Sequence, residues 1–294
     1  MLVYKQKILF IINPISGGHN KAKIIKSIPK LLDNNKFDIS ITHTKRAGHA
    51  KAIANEAVKK EMNIVVAVGG DGTINEVASQ LVNTGTTLAI VPCGSGNGLA
   101  RDLGISLQYK KAIQQINSLN IKKIDVGICN HQYFFSLAGI GYDAKVAYDF
   151  NRGKKRKFLG YVWAILKNYF CLKNQYYEIE LEHEKNVAQC FFVAIANCSQ
   201  WGYGVKVAPA AKLDDGVFNI NLCKKPSVFF IISFIIKLLS KNIDTSKYCV
   251  SKSSKKISIY SNDDFFYHLD GDAKEKTRHI EVVLLQEALN VVAK

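Results

Sequence analysis

Apolar positions in the first part of the chain alternate between short runs and helical stripes. Lys7–Ile12 is an apolar β run closed by Asn13-Pro14, a turn signal. A lysine-rich stretch over residues 20–33 reads as a helix, Phe37–Thr44 alternates as a strand does, and Gly48–Lys60 returns to helical spacing. Ile64–Val68 has the pattern of a buried strand, residues 74–83 read as a helix, and Thr87–Val91 as another strand. Strands alternating with helices predict a doubly wound parallel α/β sheet over residues 1–122.

Beyond residue 122 the pattern changes. Ile124–Cys129, Tyr133–Ala138, Tyr176–Leu181, Cys190–Ala196, Val217–Leu222 and Lys256–Tyr260 are strand-like, and only residues 142–170 and 226–241 look helical. A β-rich second domain over 123–280, a sandwich, fits best, with residues 281–294 able to return and complete the first domain. Ser227–Ser240 is the most apolar segment, but it falls short of the ~20 residues of a bilayer span and Lys237 interrupts it. It reads as a buried helix first and a peripheral membrane contact second.

Composition adds one constraint. Forty Lys and Arg against 24 Asp and Glu leave a formal charge of +16, which calls for an acidic partner: nucleic acid, an anionic membrane or a phosphate-rich small molecule. The seven cysteines are scattered and form no C-x-x-C pair, so they are expected as buried, reduced thiols of a cytoplasmic protein. The seven histidines show no zinc spacing, and the start of the chain has no signal-peptide pattern.

Candidate chemistry sits in three small-residue loops. Val68-Gly69-Gly70-Asp71-Gly72-Thr73-Ile74-Asn75-Glu76 follows a strand, and its T-x-x-E spacing predicts a capping box opening a helix at Thr73. Free amides at a helix start suit a phosphate. A carboxylate there, Asp71, becomes favourable if Mg²⁺ stands between the two charges. Asn13-Pro14-Ile15-Ser16-Gly17-Gly18 and Pro92-Cys93-Gly94-Ser95-Gly96-Asn97-Gly98 also follow predicted strands. All three loops therefore leave the carboxyl ends of strands, where open α/β sheets bind ligands. Neither the Walker spacing nor the dinucleotide G-x-G-x-x-G is present.

With these loops, THTKRAGHA (42–50), PCGSGNGLARDLGI (92–105), KLDDGVF (212–218) and LDGD (269–272), the chain resembles the diacylglycerol kinase catalytic-domain family, which includes bacterial lipid kinases and sphingosine kinases. The motifs span nearly the whole chain; GGDG alone is shared with NAD kinases and phosphofructokinases. The resemblance implies a phosphofructokinase/NAD kinase-like nucleotide-binding domain followed by a β-sandwich. It implies ATP held by Asn13, Pro14, Ile15, Ser16, Gly17, Thr44, Gly70, Asp71, Gly72, Thr73, Ile74, Asn75, Glu76 and Ser95. It implies a structural Mg²⁺ at Lys212, Asp215 and Val217, with the side chain of Asp215 and the carbonyls of the others as ligands. Asp272 matches the general base, usually a glutamate, so this chain carries an arm one methylene shorter; Asp270 is expected to help organise metal or base.

The expected reaction moves the γ-phosphoryl group of ATP to a lipid hydroxyl, with diacylglycerol or a related lipid alcohol as acceptor. Asp143, in Gly141-Tyr142-Asp143-Ala144, resembles the place where sphingosine kinases meet the substrate amine, so a sphingoid acceptor is the runner-up; in another role Asp143 caps a helix. An NAD kinase-like enzyme and a non-catalytic nucleotide- or lipid-binding protein are the remaining alternatives. Arg152-Gly153-Lys154-Lys155-Arg156-Lys157 packs five cations into six residues and is read as a contact for an anionic membrane or as a solvated helix end. No nucleic-acid motif accompanies it. The expectation is a cytoplasmic, peripherally membrane-associated enzyme; a homodimer is left open.

Overall fold

The structure, a computed structural model, describes residues 5–18, 20–152, 158–202, 205–230, 233, 236–237, 240 and 243–294. The basic run 153–157 and most of 231–242 lie outside the described residues, and with them the membrane reading of the one and the helix expected in the other. The chain divides into two compact units, Met1–Val126 with Gln286–Lys294, and Gly127–Leu285.

The first unit contains β1 (Gln6–Ile12), α1 (Lys21–Leu31), β2 (Phe37–His43), α2 (His49–Lys59), β3 (Ile64–Gly69), α3 (Asp71–Leu81), β4 (Thr87–Pro92), α4 (Gly98–Asp102) and α5 (Tyr109–Ile116). Its strands run parallel in the order β2-β1-β3-β4. Every residue of β3 and β4 is buried, as a parallel sheet covered on both faces requires. The order reverses between β1 and β3, so the loops after these two strands flank the switch point where such sheets leave a crevice. Register puts those loops at one level, since Ile12 pairs with Val68 and Gly69 with Pro92.

The helix after β3 starts two residues before Thr73, at Asp71, and the expected capping box is not formed. Thr73 lies inside the first turn, where its hydroxyl accepts from Asn13 Nδ2 at 2.9 Å. Glu76 instead reaches the preceding helix: its carboxylate accepts from the amides of Gly48 (2.9 Å) and Ala50 (3.1 Å) at the start of α2. Gly48 has no side chain to cap that end, so a carboxylate from a neighbour satisfies the orphan donors.

The second unit opens with β5 (Ile121–Cys129), which begins in the first unit, then β6 (Gln132–Phe134), β7 (Leu137–Gly141), α6 (Tyr142–Arg152), α7 (Phe158–Cys171), β8 (Gln175–Leu181), β9 (Glu184–Cys190), β10 (Phe192–Ala196), β11 (Gln200–Gly202) and β12 (Val205–Lys206). It continues with β13 (Phe218–Cys223), β14 (Cys249–Ser254), β15 (Lys256–Phe265), β16 (Tyr267–Leu269) and β17 (Asp272–Ala273). The long β18 (Thr277–Val292) then leads back, and Val291 pairs with Leu88 of β4. Six strands form one sheet in the order β14-β13-β10-β7-β16-β17, and β18, β15, β8 and β9 form an antiparallel set. The two inner faces make a sandwich core that includes Ile140, Val193, Ile195, Phe218 and Ile220 from one sheet and Tyr177, Ile179, Ile257, Ile259 and Ile280 from the other. The alternate residues of β10, Phe192, Ala194 and Ala196, pack on the opposite face with Tyr169 of α7. That double burial is why Cys190–Ala196 reads as a continuous apolar run.

Of the segment 226–241 expected as a helix, Val228–Phe230 form a 3₁₀ turn and residues 233, 236 and 237 are helical. One expectation is corrected here. The cysteines are not all reduced thiols: β13 sets Cys223 directly opposite Cys249 of β14, and the two form a disulfide. Burial raises the thiol pKa of Cys93, of Cys129 to about 12 and of Cys190 to about 11, while Cys171 is exposed. Raised thiols stay protonated and inert at neutral pH. A disulfide-exchange reagent is therefore expected to label Cys171 rapidly in the folded protein and the others only after denaturation; fast labelling of Cys93 would refute this packing.

Candidate functional site

In the first unit the three loops interlock through contacts that leave no room for side chains. A Cβ on Gly17, which stands at φ +58°, would overlap the carbonyl of Cys93. A Cβ on Gly94 would lie 2.7 Å from the Cα of Gly70. Glycine is needed at both places for backbone to approach backbone. Asn13 at the end of β1 ties the first loop to α3 through Thr73, and its own Oδ1 accepts from the amide of Ile15 at 3.2 Å. Lys21 donates to the carbonyl of Ser16 at 2.5 Å, bringing a cation to the same loop.

Asp71 has a role that its position among glycines did not reveal. Its Oδ2 accepts from the amide of Asn97 (2.9 Å) and its Oδ1 from that of Gly98 (3.0 Å), so the carboxylate latches the third loop to the second. Asn97 completes the latch, accepting from the Gly94 amide at 3.1 Å and donating to its carbonyl at 2.8 Å, with its backbone in the left-handed region at φ 52°. Thr44 is buried at the end of β2, its amide bonded to Ile12, whereas Pro14, Ile15, Gly72 and Ser95 are exposed on the loops. Gly70, the N-cap of α3, offers no side chain, and α3 carries Ile74, Asn75 and Glu76 in its opening turns. The leading amides of a helix have no intrahelical acceptor. The donor set at this sheet edge, uncapped amides with the positive end of a helix and a nearby lysine, is the chemistry that fits a phosphate chain.

The second unit holds the other candidate residues. β16 and β17 are joined by the two-residue turn Asp270-Gly271, with Leu269 opposite Asp272. Both turn residues have positive φ, 50° and 83°, the geometry for which Asp-Gly is suited. Asp270 is engaged by backbone amides of its own unit. Its carboxylate accepts from the amides of Phe135 (2.9 Å), Ser136 (2.7 Å) and Leu137 (3.1 Å), and its own amide donates to the carbonyl of Leu137. In the structure its carboxylate clamps residues 135–137. Asp272, by contrast, is 73% exposed and paired with Lys274 at 2.8 Å. It lines a cleft of about 350 Å³ with Tyr148, Phe266, Lys274, Glu275 and Lys276.

Asp143, the candidate for a substrate amine, is withdrawn from solvent. In the first turn of α6 its Oδ1 accepts from Ala144, and its Oδ2 lies 3.3 Å from Nε2 of His268 on β16. The side chains of the pair are 8% and 5% exposed. His268, which no sequence motif marks, is the residue that the pattern of apolar positions missed. At the other expected site, Asp215 and Lys212 are exposed and Asp215 Oδ1 accepts from Val217 at 3.3 Å, an Asx turn leading into β13. One exposed carboxylate with backbone carbonyls is an oxygen-only donor set, which fits a hard, hydrated cation. Among the described residues no group of three His, Cys, Asp or Glu could hold a metal by side chains alone.

Residues 7–129 match the diacylglycerol kinase catalytic domain, and residues 136–293 match the YegS C-terminal NAD kinase beta sandwich-like domain. The diacylglycerol kinase of Bacillus subtilis is 31% identical, covering 94% of this chain and 96% of that protein. That of Staphylococcus saprophyticus is 28% identical, covering 95% of each. A crystal structure of a diacylglycerol kinase from Bacillus anthracis superposes with a TM-score of 0.77 over 98% of this chain and 97% of that one, at 23% identity. Interlocked glycine loops on a parallel sheet, followed by a sandwich that presents Asp272 on an Asp-Gly hairpin, accompany those matches along the full sequence, and the chain belongs to the diacylglycerol kinase catalytic-domain family.

Proposed function

We propose that the protein is an ATP- and Mg²⁺-dependent lipid kinase that phosphorylates a neutral lipid alcohol, diacylglycerol or a close relative. The observation that carries the nucleotide half is the approach of Gly17 to Cys93 and of Gly70 to Gly94, which bares backbone amides at the switch point of the sheet. ATP supplies the transferred group, and Mg²⁺ neutralises charge on its phosphates. The amides leading α3 and the first loop bind the phosphates. Asp71 fixes the third loop against them, and a hydrated cation would balance its charge beside the phosphates. Asp215, with the carbonyls of Lys212 and Val217, would hold a second, structural cation.

Asp272 is the general base. It takes the proton of the lipid hydroxyl as the new O–P bond forms and the bond to the β-phosphate oxygen breaks, leaving ADP. Lys274 holds the carboxylate in place beforehand. The acceptor class follows from charge. The cleft at Asp272 sets Lys274 and Lys276 against the carboxylates of Asp272 and Glu275, a balanced lining that suits an uncharged glycerol hydroxyl. The one carboxylate read as an amine partner, Asp143, is buried against His268, which argues against a cationic sphingoid head group at that place. A membrane surface presents such a lipid, and on α7 Trp163, Leu166 and Phe170 are exposed beside Lys167, a combination suited to an anionic interface. No helix among the described residues is long and apolar enough to cross a bilayer.

The test is labelled ATP with Mg²⁺ and mixed micelles offering diacylglycerol, a monoacylglycerol, an isoprenoid alcohol and a sphingoid base, with NAD as a control. Labelled lipid phosphate from an uncharged alcohol is expected; labelled NADP, or turnover of the sphingoid base alone, would overturn the proposal. In the same assay Asp71→Asn is expected to raise the KM for ATP at least tenfold, because an amide nitrogen must then face a backbone N–H and the third loop loses its latch (~1–3 kcal/mol). An unchanged KM would remove that role.

A further inference from the structure

The pair His268–Asp143 is buried behind the hairpin that carries Asp272, and the lipid-kinase reading as it stands gives it nothing to do. Its hydrogen bonds define a direction. Nδ1 of His268 accepts from the amide of Gly271 at 3.2 Å, so that nitrogen carries no proton. The proton of the ring therefore sits on Nε2, which donates to Asp143 Oδ2 at 3.3 Å. The ring spans from the first turn of α6 to the second residue of the Asp270-Gly271 turn. It has no freedom to move toward β7: a Cβ on Gly139, directly opposite His268 in the sheet, would overlap both Asp143 Oδ2 and His268 Nε2.

Gly271 is the residue before Asp272, and the turn has only two residues. The amide lies in the peptide plane that enters Gly271, and the next plane carries Asp272, so a shift in the amide reaches the base across a single residue. Asp270 anchors one side of the turn to residues 135–137, and His268 anchors the other. Positioning is the larger part of catalysis in phosphoryl transfer, where the protein makes little covalent chemistry of its own.

We propose that His268 is a positioning residue for the transfer reaction: held by Asp143, it fixes the Gly271 amide and so the stance of Asp272 toward the acceptor hydroxyl. The inference rests on the reading of Asp272 as the base. Two isosteric replacements in the full chain divide the ring's two bonds. In His268→Asn the amide oxygen falls near the place of Nδ1, keeping the acceptor for Gly271 and losing the bond to Asp143. In His268→Gln the amide nitrogen falls near the place of Nε2, keeping Asp143 and losing Gly271.

The expected result is a kcat about tenfold to a hundredfold lower in His268→Gln, with KM for ATP unchanged, and a clearly smaller loss in His268→Asn, which keeps the acceptor for Gly271 but not the hold of Asp143. Hydrogen exchange at the Gly271 amide should be faster in the glutamine variant alone. Equal losses in both variants, or none in His268→Gln beside an active parent and an inactive Asp272→Asn, would overturn the positioning role and leave the kinase reading standing. A parent that phosphorylates no lipid, or an Asp272→Asn variant as active as the parent, would remove the base itself and the positioning role with it.

Discussion

Replacing Asp272 with asparagine is expected to lower kcat for lipid phosphorylation by about 10²–10⁴-fold, the usual contribution of a positioned general base, while the melting temperature stays within error of the parent. The second half of the expectation comes from exposure. The carboxylate is 73% exposed, and its ion pair with Lys274 lines an open cleft where solvent screens it, so little folding energy is at stake. Asparagine keeps the volume and the hydrogen-bonding reach but cannot accept a proton at neutral pH. Glutamate at 272, the residue usual in the family, should retain activity, and a gain over the parent would show that the shorter arm limits reach. A folded Asp272→Asn enzyme with full turnover would dismiss the base and send the search to other residues of the cleft.

Much of the first unit is legible in its amino-acid pattern. β3 and β4 are short, uniformly apolar and followed by glycine, which leaves few folds besides a covered parallel sheet with loops at one edge. The elements that the pattern hides share a different property. β9, with the sequence Glu184–Cys190, is mostly exposed along the edge of its sheet, and β14 is the edge of the other; an edge strand has no second neighbour to demand an apolar face. α5 is masked by its lysines and glutamines, although its Ala112, Ile113 and Ile116 are buried.

The candidate site divides along the same line. Loop glycines are visible because a Gly-rich stretch after a strand has a local cause. Partners are not, because they are set by register and topology. Glu76 caps a helix 26 residues upstream, Asp71 holds amides 26 residues downstream, and Asp143 meets His268 across 125 residues. Period-two patterning tells which face of a strand a residue takes, but not what stands opposite. A buried histidine on a strand therefore looks like any other inward position until β7 and β16 are paired.

The same limit makes the two aspartates of Leu269-Asp270-Gly271-Asp272 look alike in sequence and separates them by experiment. Asp270→Ala is expected to destabilise the second unit by about 3 kcal/mol or more, since the amides of Phe135, Ser136 and Leu137 all lose a charged acceptor. At ~2–4 °C per kcal/mol for a unit of this size, the melting temperature should fall by about 6–12 °C. Asp270→Asn should cost less, about 1–3 kcal/mol, for a specific reason. Oδ1 alone serves Ser136 and Leu137, so an amide oxygen placed there keeps two bonds and opposes only the Phe135 donor. Asparagine also tolerates the left-handed backbone at φ 50°, where alanine adds strain. The order parent, Asn, Ala in thermal stability is the signature of an acceptor clamp, and it is the reverse of what Asp272 should show, where activity falls and stability does not. If Asp270→Asn instead lost turnover at unchanged melting temperature, Asp270 would be acting on the reacting groups, and the turn would carry two working carboxylates rather than one held in place by the other.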